Sequence, residues 1–252
     1  MKLEIAIASA AGAIAAQRGG ADRLELCSAL ELGGVTPSAG LIAAVLEASE
    51  LPVQALIRPR PGDFCYSTEE LSTALLETIE CTKQGVAGVV VGALTPSGHV
   101  DHAAIERLVE AARSVNSTVE IVFHRAIDHA VDAIGAVESL ANIGVDRILS
   151  SGQAARAIEG LTNLAAMVEA DSRVQIMAGG GVRTVDIPAL INAAGVAAVH
   201  LSAKTAGPAI PGSTLALGSA DGANPNAYFV TDEALVSAAA EQLRICRSAA
   251  AG

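Results

Sequence analysis

A short unit recurs four times along the chain, in which a glycine ends a helical stretch and a β-rich run begins a few residues later. The four glycines are Gly20, Gly85, Gly144 and Gly195. Glycine at this point is typical of the left-handed residue that ends a helix. Repetition of one helix-to-strand unit predicts alternating strands and helices, which form a parallel sheet with right-handed crossovers.

A count of all β-rich runs gives eight predicted strands, with helical periodicity between them. They lie near residues 2–7, 22–27, 52–58, 87–92, 119–124, 146–150, 174–178 and 197–202. Eight regular units without a switch point favour a closed barrel over the alternative, an open doubly wound sheet. The length of 252 residues suits one such barrel. We therefore expect an α/β fold with a single TIM (β/α)₈ barrel domain over residues 1–252.

Helix starts are also marked in the sequence. Pro37 fits a first helical position, and Ser67 with Glu70 fits a capping box. Asp101 and Thr231 fit N-caps.

One segment does not follow the alternation of strands and helices. Residues 203–231 are rich in Gly, Pro, Ala and Ser and show no period. This composition predicts a long loop after strand eight. The loop is either a lid over the barrel mouth or a connection to the final helix without a further role. A final helix is expected at residues 232–248.

Composition narrows the class of partner. A net charge of −11 leaves no basic footprint for nucleic acid or for an anionic membrane surface. The four cysteines form no CxxC pair, which is typical of reduced thiols in a cytosolic protein. We expect a cytoplasmic protein that binds a metal ion or a small anionic molecule, and neither nucleic acid nor membrane.

Alternation of side chains assigns the inner face of each strand, because the apolar set must face the helices. Charged residues early in their strands are expected to form an internal ion-pair network; they are Glu4, Arg23, Glu120 and Arg147. Residues late in their strands lie at the C-terminal mouth, where chemistry occurs in this fold. They are Glu25, Cys27, Arg58, Arg60, His124, Ser151 and His200.

Three of these residues are candidate catalytic groups: Glu25, His124 and His200. A carboxyl and two imidazoles that converge on one mouth can act as general acid and base. The alternative is that the histidines are hydrogen-bonded core groups. A divalent-metal site from these residues and Asp63 is a further interpretation, although no ligand spacing supports it.

Two loops are candidate anion sites. Arg58, Arg60 and Asp63 lie in a proline-stiffened loop that could clamp a carboxylate or phosphate, unless Arg60 and Asp63 pair to hold the turn. Gly179, Gly180 and Gly181 follow strand seven, where backbone N–H groups often hold phosphate; the alternative is a tight turn. Arg125 and Ser151 complete the predicted set, although Ser151 also fits a helix cap.

At these motifs the chain resembles the CutC family of cytoplasmic copper-homeostasis proteins. The matching stretches are GGADRLELCSALELGGVTPS, IRPRPGDFCYS, VFHRAIDH, GVDRILSSGQA, IMAGGGVR and VHLSAK, within roughly residues 2–204. The resemblance implies a TIM barrel, a homodimer and a role in copper handling. The family often has a cysteine in strand one where this chain has Ala6, whereas the second family cysteine is present as Cys27.

Two hypotheses follow. In the first, the chain binds copper through Cys27 with His124 or His200, although the loss of a partner thiolate at Ala6 weakens a site for soft Cu(I). In the second, the chain is an enzyme that acts on a small phosphorylated or carboxylated metabolite.

Overall fold

A closed barrel of eight parallel strands forms the centre of the computed structural model, which describes residues 1–208 and 228–250. The strands follow one another around the barrel in chain order, and the eighth pairs with the first. They are β1 (Lys2–Ile7), β2 (Arg23–Leu26), β3 (Val53–Leu56), β4 (Gly88–Val91), β5 (Glu120–Phe123), β6 (Arg147–Ser150), β7 (Gln175–Ala178) and β8 (Ala198–Leu201). The single-domain TIM barrel predicted from the sequence is confirmed.

Helices surround the barrel and alternate with its strands. They are α1 (Ala10–Arg18), α2 (Ala39–Ala48), α3 (Thr68–Lys83), α4 (His102–Val115), α5 (Ala133–Ile143), α6 (Leu161–Ala170), α7 (Ile187–Ala194) and α8 (Glu233–Ala250). The glycines of the recurring unit all have positive φ, between 70° at Gly195 and 93° at Gly144. They therefore adopt the left-handed conformation expected at these helix ends.

The helix starts agree with the sequence at two positions and differ at two. Ser67 and Glu70 form the capping box, and Asp101 accepts a hydrogen bond from the Ala104 N–H. Helix α2, however, begins after Pro37, with Ser38 as the N-cap. The N-cap before α8 is Asp232 rather than Thr231, because the Asp232 carboxylate accepts the N–H groups of Ala234 and Leu235.

The two ends of the expected long loop are paired strands. Strand β9 (Lys204–Ala206) runs antiparallel to β10 (Phe229–Thr231), and the Lys204 ammonium lies 3.9 Å from the centre of the Phe229 ring. The loop prediction for residues 203–231 was therefore wrong at both ends. Residues 209–227, on which the lid interpretation depends, lie outside the described part of the chain.

Apolar side chains fill the space between strands and helices, as alternation requires. Inside the barrel two smaller apolar clusters remain, formed by Cys27, Leu56, Val90 and Val122 and by Leu149, Met177 and Ala198. Beneath the mouth the lumen is charged: Arg23 pairs with Glu4, and Arg147 pairs with Glu120. The predicted internal ion-pair network is confirmed.

None of the helices in the described residues combines the length and the apolar character needed to cross a bilayer.

Candidate active site

A cavity of about 270 Å³ opens at the C-terminal ends of the strands. Its polar lining includes Glu25, Arg58, His124, Arg125, His200 and Ser202, and its apolar lining includes Leu56, Phe64 and Leu149. The structure therefore brings the three candidate catalytic residues, Glu25, His124 and His200, to one cavity.

Glu25 extends from β2 into this cavity and is buried. Its Oε2 atom has no hydrogen-bond partner among the described residues. Burial raises the pKa of Glu25 to about 7, the charge of Glu4 adds to the effect, and His200 opposes it. A carboxyl with a pKa of this size can both accept and return a proton near neutral pH.

His200 lies on β8, and its Nδ1 atom is 2.8 Å from Oε1 of Glu4. Burial opposes the ionisation of Glu4, but the hydrogen bond to His200 and the charge of Arg23 outweigh it and lower the pKa of Glu4 to about 2. Glu4 is therefore a carboxylate, and Nδ1–H of His200 donates to it. For His200, the cost of burial is outweighed by the charge of Glu25 and by the bond to Glu4, so its pKa is raised.

Glu4 is the site residue that the sequence analysis missed, because it was assigned to the structural network alone. It does pair with Arg23, but it also holds His200 in place. The signal is present in the register of the closed barrel, where Glu4 lies opposite His200 on one side and Arg23 on the other.

Glu4, Glu25 and His200 each offer one ligand atom, and these atoms lie within 4.8 Å of one another. Both oxygens of Glu4 are already engaged, one by Arg23 and one by His200. Two free donors then remain, from Glu25 and His200, whereas protein metal centres with a tightly held ion commonly use three or more.

His124 follows β5 and is buried beside the cavity. Its Nδ1 atom accepts a hydrogen bond from the Ala126 N–H at 3.1 Å. Burial lowers the pKa of His124 to about 3, and the charge of Arg58 acts in the same direction. The ring is therefore neutral at physiological pH and carries its proton on Nε2, which has no partner in the described residues. His124 thus offers a fixed N–H donor and not a base.

Arg58 lines the cavity, but its guanidinium is largely satisfied by the protein. Its two Nη atoms donate to the carbonyl oxygens of Leu32, Gly34 and Gly62 at 2.8–3.1 Å. The guanidinium also lies over the Phe64 ring, 5.3 Å from its centre. These contacts connect the loop after β2 with the loop after β3. Arg58 therefore stabilises the loops around the cavity.

Arg60 and Asp63 are not among the residues that line the cavity, and they pair with each other. Arg60 forms salt bridges with Asp63 and Glu70 and donates to the Cys65 carbonyl. Asp63 is exposed. The arrangement matches the alternative in which this pair holds the turn, since a guanidinium with two carboxylate partners is poorly placed to bind an external anion.

Arg125 is the cavity arginine that remains available to a ligand. Its Nε atom donates to Asp128 at 2.7 Å, and its Nη2 atom donates to the Ser151 hydroxyl at 3.0 Å. The Asp128 side chain is buried and also accepts from the Ser150 hydroxyl and from the Ser151 N–H. These contacts fix the guanidinium plane at the mouth, while Nη1 donates to no group in the described residues. Ser151 therefore positions Arg125.

The glycine turn after β7 borders a second cavity, of about 180 Å³. Gly180 and Gly181 line it together with Arg125, His200 and Ser202, whereas Gly179 donates to the Ser150 carbonyl and packs against Leu149 and His200. The φ angles of Gly180 and Gly181 are 103° and 61°. A Cβ at Gly180 would lie 2.9 Å from Arg125, so glycine is required for this close approach.

Cys27 points inward as predicted but does not reach the cavity. Its thiol packs under Gly34 and Leu56 and lies 3.7 Å from the Ile7 carbonyl, to which it can donate. Burial raises the pKa of Cys27 to about 12, and the charge of Glu25 adds to the effect. The group is thus a buried neutral thiol, whereas a thiolate is the form that binds metal.

The family model for the CutC family matches residues 1–205. The family protein CutC of Xanthomonas campestris pv. campestris (strain 8004) is 42% identical over 205 residues, which cover 81% of this chain and 84% of that protein. The family protein CutC of Pasteurella multocida (strain Pm70) is 40% identical over 206 residues, which cover 81% of this chain and 82% of that protein.

Two solved structures were compared with this chain, one of a CutC protein and one of another TIM barrel. The CutC crystal structure from Streptococcus agalactiae, described as a copper homeostasis protein, is 30% identical, with a TM-score of 0.74, and the match covers 80% of this chain and 99% of that one. N-(5'-phosphoribosyl)anthranilate isomerase from Pyrococcus furiosus is 11% identical, with a TM-score of 0.59 and coverage of 97% and 99%, which shows the fold alone. By its sequence over most of its length and by its fold, the chain belongs to the CutC family.

Proposed function

We propose that this chain is an enzyme that moves a proton within a small anionic substrate bound at the barrel mouth. The observation that carries the proposal is the placement of Glu25. Its carboxyl is buried, has an unpartnered oxygen and shares one cavity with His200 and His124. A buried polar group without a partner costs free energy, and such groups concentrate at sites that bind a ligand.

The three residues have complementary roles in this proposal. Ionised Glu25 accepts a proton from one atom of the substrate, and protonated His200 donates a proton to another atom. Glu25 then returns its proton to His200, which restores both groups and leaves the substrate isomerised. Nε2–H of His124 donates to the substrate oxygen on which negative charge develops.

Glu4 supports this cycle as a positioning residue. Its carboxylate holds Nδ1–H of His200, which leaves Nε2 as the ring atom that exchanges a proton with the substrate. Because Glu4 also pairs with Arg23, it stays ionised while Glu25 and His200 change charge.

Copper binding, which the family resemblance implies, fits the described residues less well. Cu(I) prefers soft sulfur ligands. Cys27 is a buried neutral thiol, Ala6 offers no second thiol, and Met177 Sδ lies 3.1 Å from the Arg23 guanidinium. The oxygen and nitrogen donors of Glu4, Glu25 and His200 are those of a harder ion, and Glu4 is already engaged. A cytoplasmic location is an expectation supported by the cysteine pattern and by the resemblance, and a homodimer is one supported by the resemblance.

The test is solvent-proton exchange. Purified protein is incubated in D₂O with a defined mixture of sugar phosphates and α-keto acids, and deuterium uptake into each compound is measured by mass spectrometry. We expect uptake into at least one compound with the wild type, a loss with Glu25→Gln and His200→Gln, and wild-type uptake with Cys27→Ser. Uptake that Glu25→Gln leaves unchanged would contradict the proposed role of Glu25. No uptake into any compound, together with stabilisation of the wild type but not of Cys27→Ser by Cu(I), would favour copper binding instead.

A further inference from the structure

The second cavity, between the glycine turn and Arg125, adjoins the cavity that holds Glu25. Arg125, His200 and Ser202 line both of them. One small molecule can therefore occupy both, with one end over Glu25 and the other at the glycine turn.

We propose that this second cavity binds the phosphate group of a phosphorylated carbonyl substrate, whose carbonyl oxygen lies at His124 Nε2 in the first cavity. The inference rests on the proposed function for the reaction, but the binding of phosphate does not depend on it.

Backbone donors are the first support. Gly180, Gly181 and Val182 line the cavity, and their N–H groups donate no hydrogen bond within residues 1–208 and 228–250. Consecutive free N–H groups on a glycine turn can together bind an anion. The adjacent Gly179 N–H is bonded to Ser150, which fixes the base of the turn.

Arg125 is the second support. Asp128 and Ser151 hold two of its three nitrogens, so its remaining Nη1 is presented without further loss of side-chain freedom. Asp128 does not line the second cavity, and its charge is offset by hydrogen bonds from Ser150 and Ser151. A prepositioned guanidinium is well suited to a phosphate oxygen.

The fit of the turn to Arg125 is the third support. A Cβ at Gly180 would meet Arg125 at 2.9 Å, and a Cβ at Gly181 would meet the Arg156 side chain at 3.0 Å. The turn is therefore held close to the Arg125 guanidinium by a residue without a side chain, whereas Arg156 contacts the turn through its aliphatic part and pairs with Asp186. In a chain of net charge −11, the Arg125 guanidinium beside these free N–H groups favours an anion.

The chemistry of the two cavities together selects the substrate class. The phosphate end is recognised by Arg125 and the turn, and the neutral His124 donor requires a hydrogen-bond acceptor such as a carbonyl. A compound with both groups, a few carbon atoms apart, satisfies the unpartnered atoms at each end.

The experiment measures binding by calorimetry with inorganic phosphate, and with dihydroxyacetone phosphate against dihydroxyacetone as a matched pair. We expect inorganic phosphate and dihydroxyacetone phosphate to bind and dihydroxyacetone not to bind. Loss of one charge-assisted contact in Arg125→Gln should weaken phosphate about tenfold to a hundredfold. Arg244→Gln is the matched control, because it removes an arginine that pairs with one carboxylate, Glu241, on helix α8.

Because Arg125 also contacts Asp128 and Ser151, Ser202→Ala is a second variant, with an expected loss of a few-fold, and circular dichroism checks the fold of each. Equal phosphate binding by wild type, Arg125→Gln and Ser202→Ala, or no binding by the wild type, would overturn the subsite.

Glu25→Gln separates the two proposals, since it removes the proposed base but keeps Arg125 and the glycine turn and should therefore still bind inorganic phosphate. Phosphate binding that requires Arg125, together with proton exchange unaffected by Glu25→Gln, leaves the subsite and overturns the proposed function. Proton exchange that requires Glu25, without any binding of phosphate, leaves the proposed function and overturns the subsite.

Discussion

Nδ1 of His200 and Oε1 of Glu4 lie 2.8 Å apart across the seam where β8 closes on β1. The two residues are opposite each other in the barrel register although 196 positions separate them in the chain. Closure of the barrel therefore creates the contact that orients His200 towards Glu25, and the chemistry of the mouth depends on it.

Replacement of Glu25 should stabilise the protein above neutral pH. The pKa of Glu25 is raised from 4.5 to about 7, so the folded state holds its proton longer than the unfolded state. The contribution of protonated Glu25 to the free energy of unfolding is complete below pH 4.5, the pKa of the unfolded state. It is lost as pH rises through about 7, the pKa of the folded state. We expect Glu25→Gln to raise the free energy of unfolding by about 1–3 kcal/mol above that pH, measured by urea denaturation.

Glu120→Gln is the matched contrast, because it leaves the buried Arg147 guanidinium without its carboxylate and should destabilise the protein. Equal destabilisation by both variants would mean that Glu25 has a charged partner in the folded protein.

His124 should make the protein sensitive to acid. Its pKa is lowered from 6.5 to about 3, so between these values the unfolded state binds a proton that the folded state does not. The stability contributed by the neutral ring is complete above pH 6.5, the pKa of the unfolded state. It declines by about 1.4 kcal/mol per pH unit as pH falls towards 3. His124→Gln should remove this slope when unfolding is followed by denaturant at several pH values. Identical slopes for the variant and the wild type would show that His124 is protonated in the folded protein.

Gly92 after β4 provides the space for the His124 ring. A Cβ at this position would lie 2.3 Å from Cε1 of His124 and 2.4 Å from its Nδ1. Gly92→Ala should therefore displace the ring and cost about 1–3 kcal/mol, measured by thermal or chemical unfolding. Gly40→Ala on α2 is the control, because a Cβ there meets nothing within 4 Å. A Gly92 variant as stable as the control would contradict the described packing of His124.

The state of the cysteines tests the copper interpretation without any metal. Cys27, Cys81 and Cys246 are buried, and Cys65 is half-buried. Burial raises the pKa of Cys27 and of Cys81 to about 12, so neither forms the reactive thiolate at neutral pH. We expect a thiol reagent to label Cys65 first in the native protein, with Cys27 labelled after unfolding, as peptide mass spectrometry would show. Rapid native labelling of Cys27 would restore it as a candidate metal ligand.

The sequence was informative where local rules apply. Alternation along single strands placed Glu25 and His124 at the mouth, and glycines such as Gly144 marked the helix ends. It was less informative where the result depends on contacts between distant segments. The second role of Glu4 follows from the register of β1 with β8, which no single strand encodes.

Alternation along a strand also does not predict which contacts the side chains of the loops form. Arg58 bonds to loop carbonyls and Arg60 to Glu70, partners that depend on the path of the rim loops. Cys27 points inward, as alternation requires, but Gly34 and Leu56 cover it. Whether an inward residue reaches the cavity is decided by such neighbours, which the pattern of one strand does not contain.

The acid–base pair is tested most directly by a carbon NMR titration of the Glu25 carboxyl, assigned by comparison with Glu25→Gln. We expect a midpoint near 7, well above the ordinary value of 4.5, and a further rise in His200→Gln because the charge of His200 lowers it. A midpoint near 4.5 that His200→Gln leaves unchanged would contradict the account.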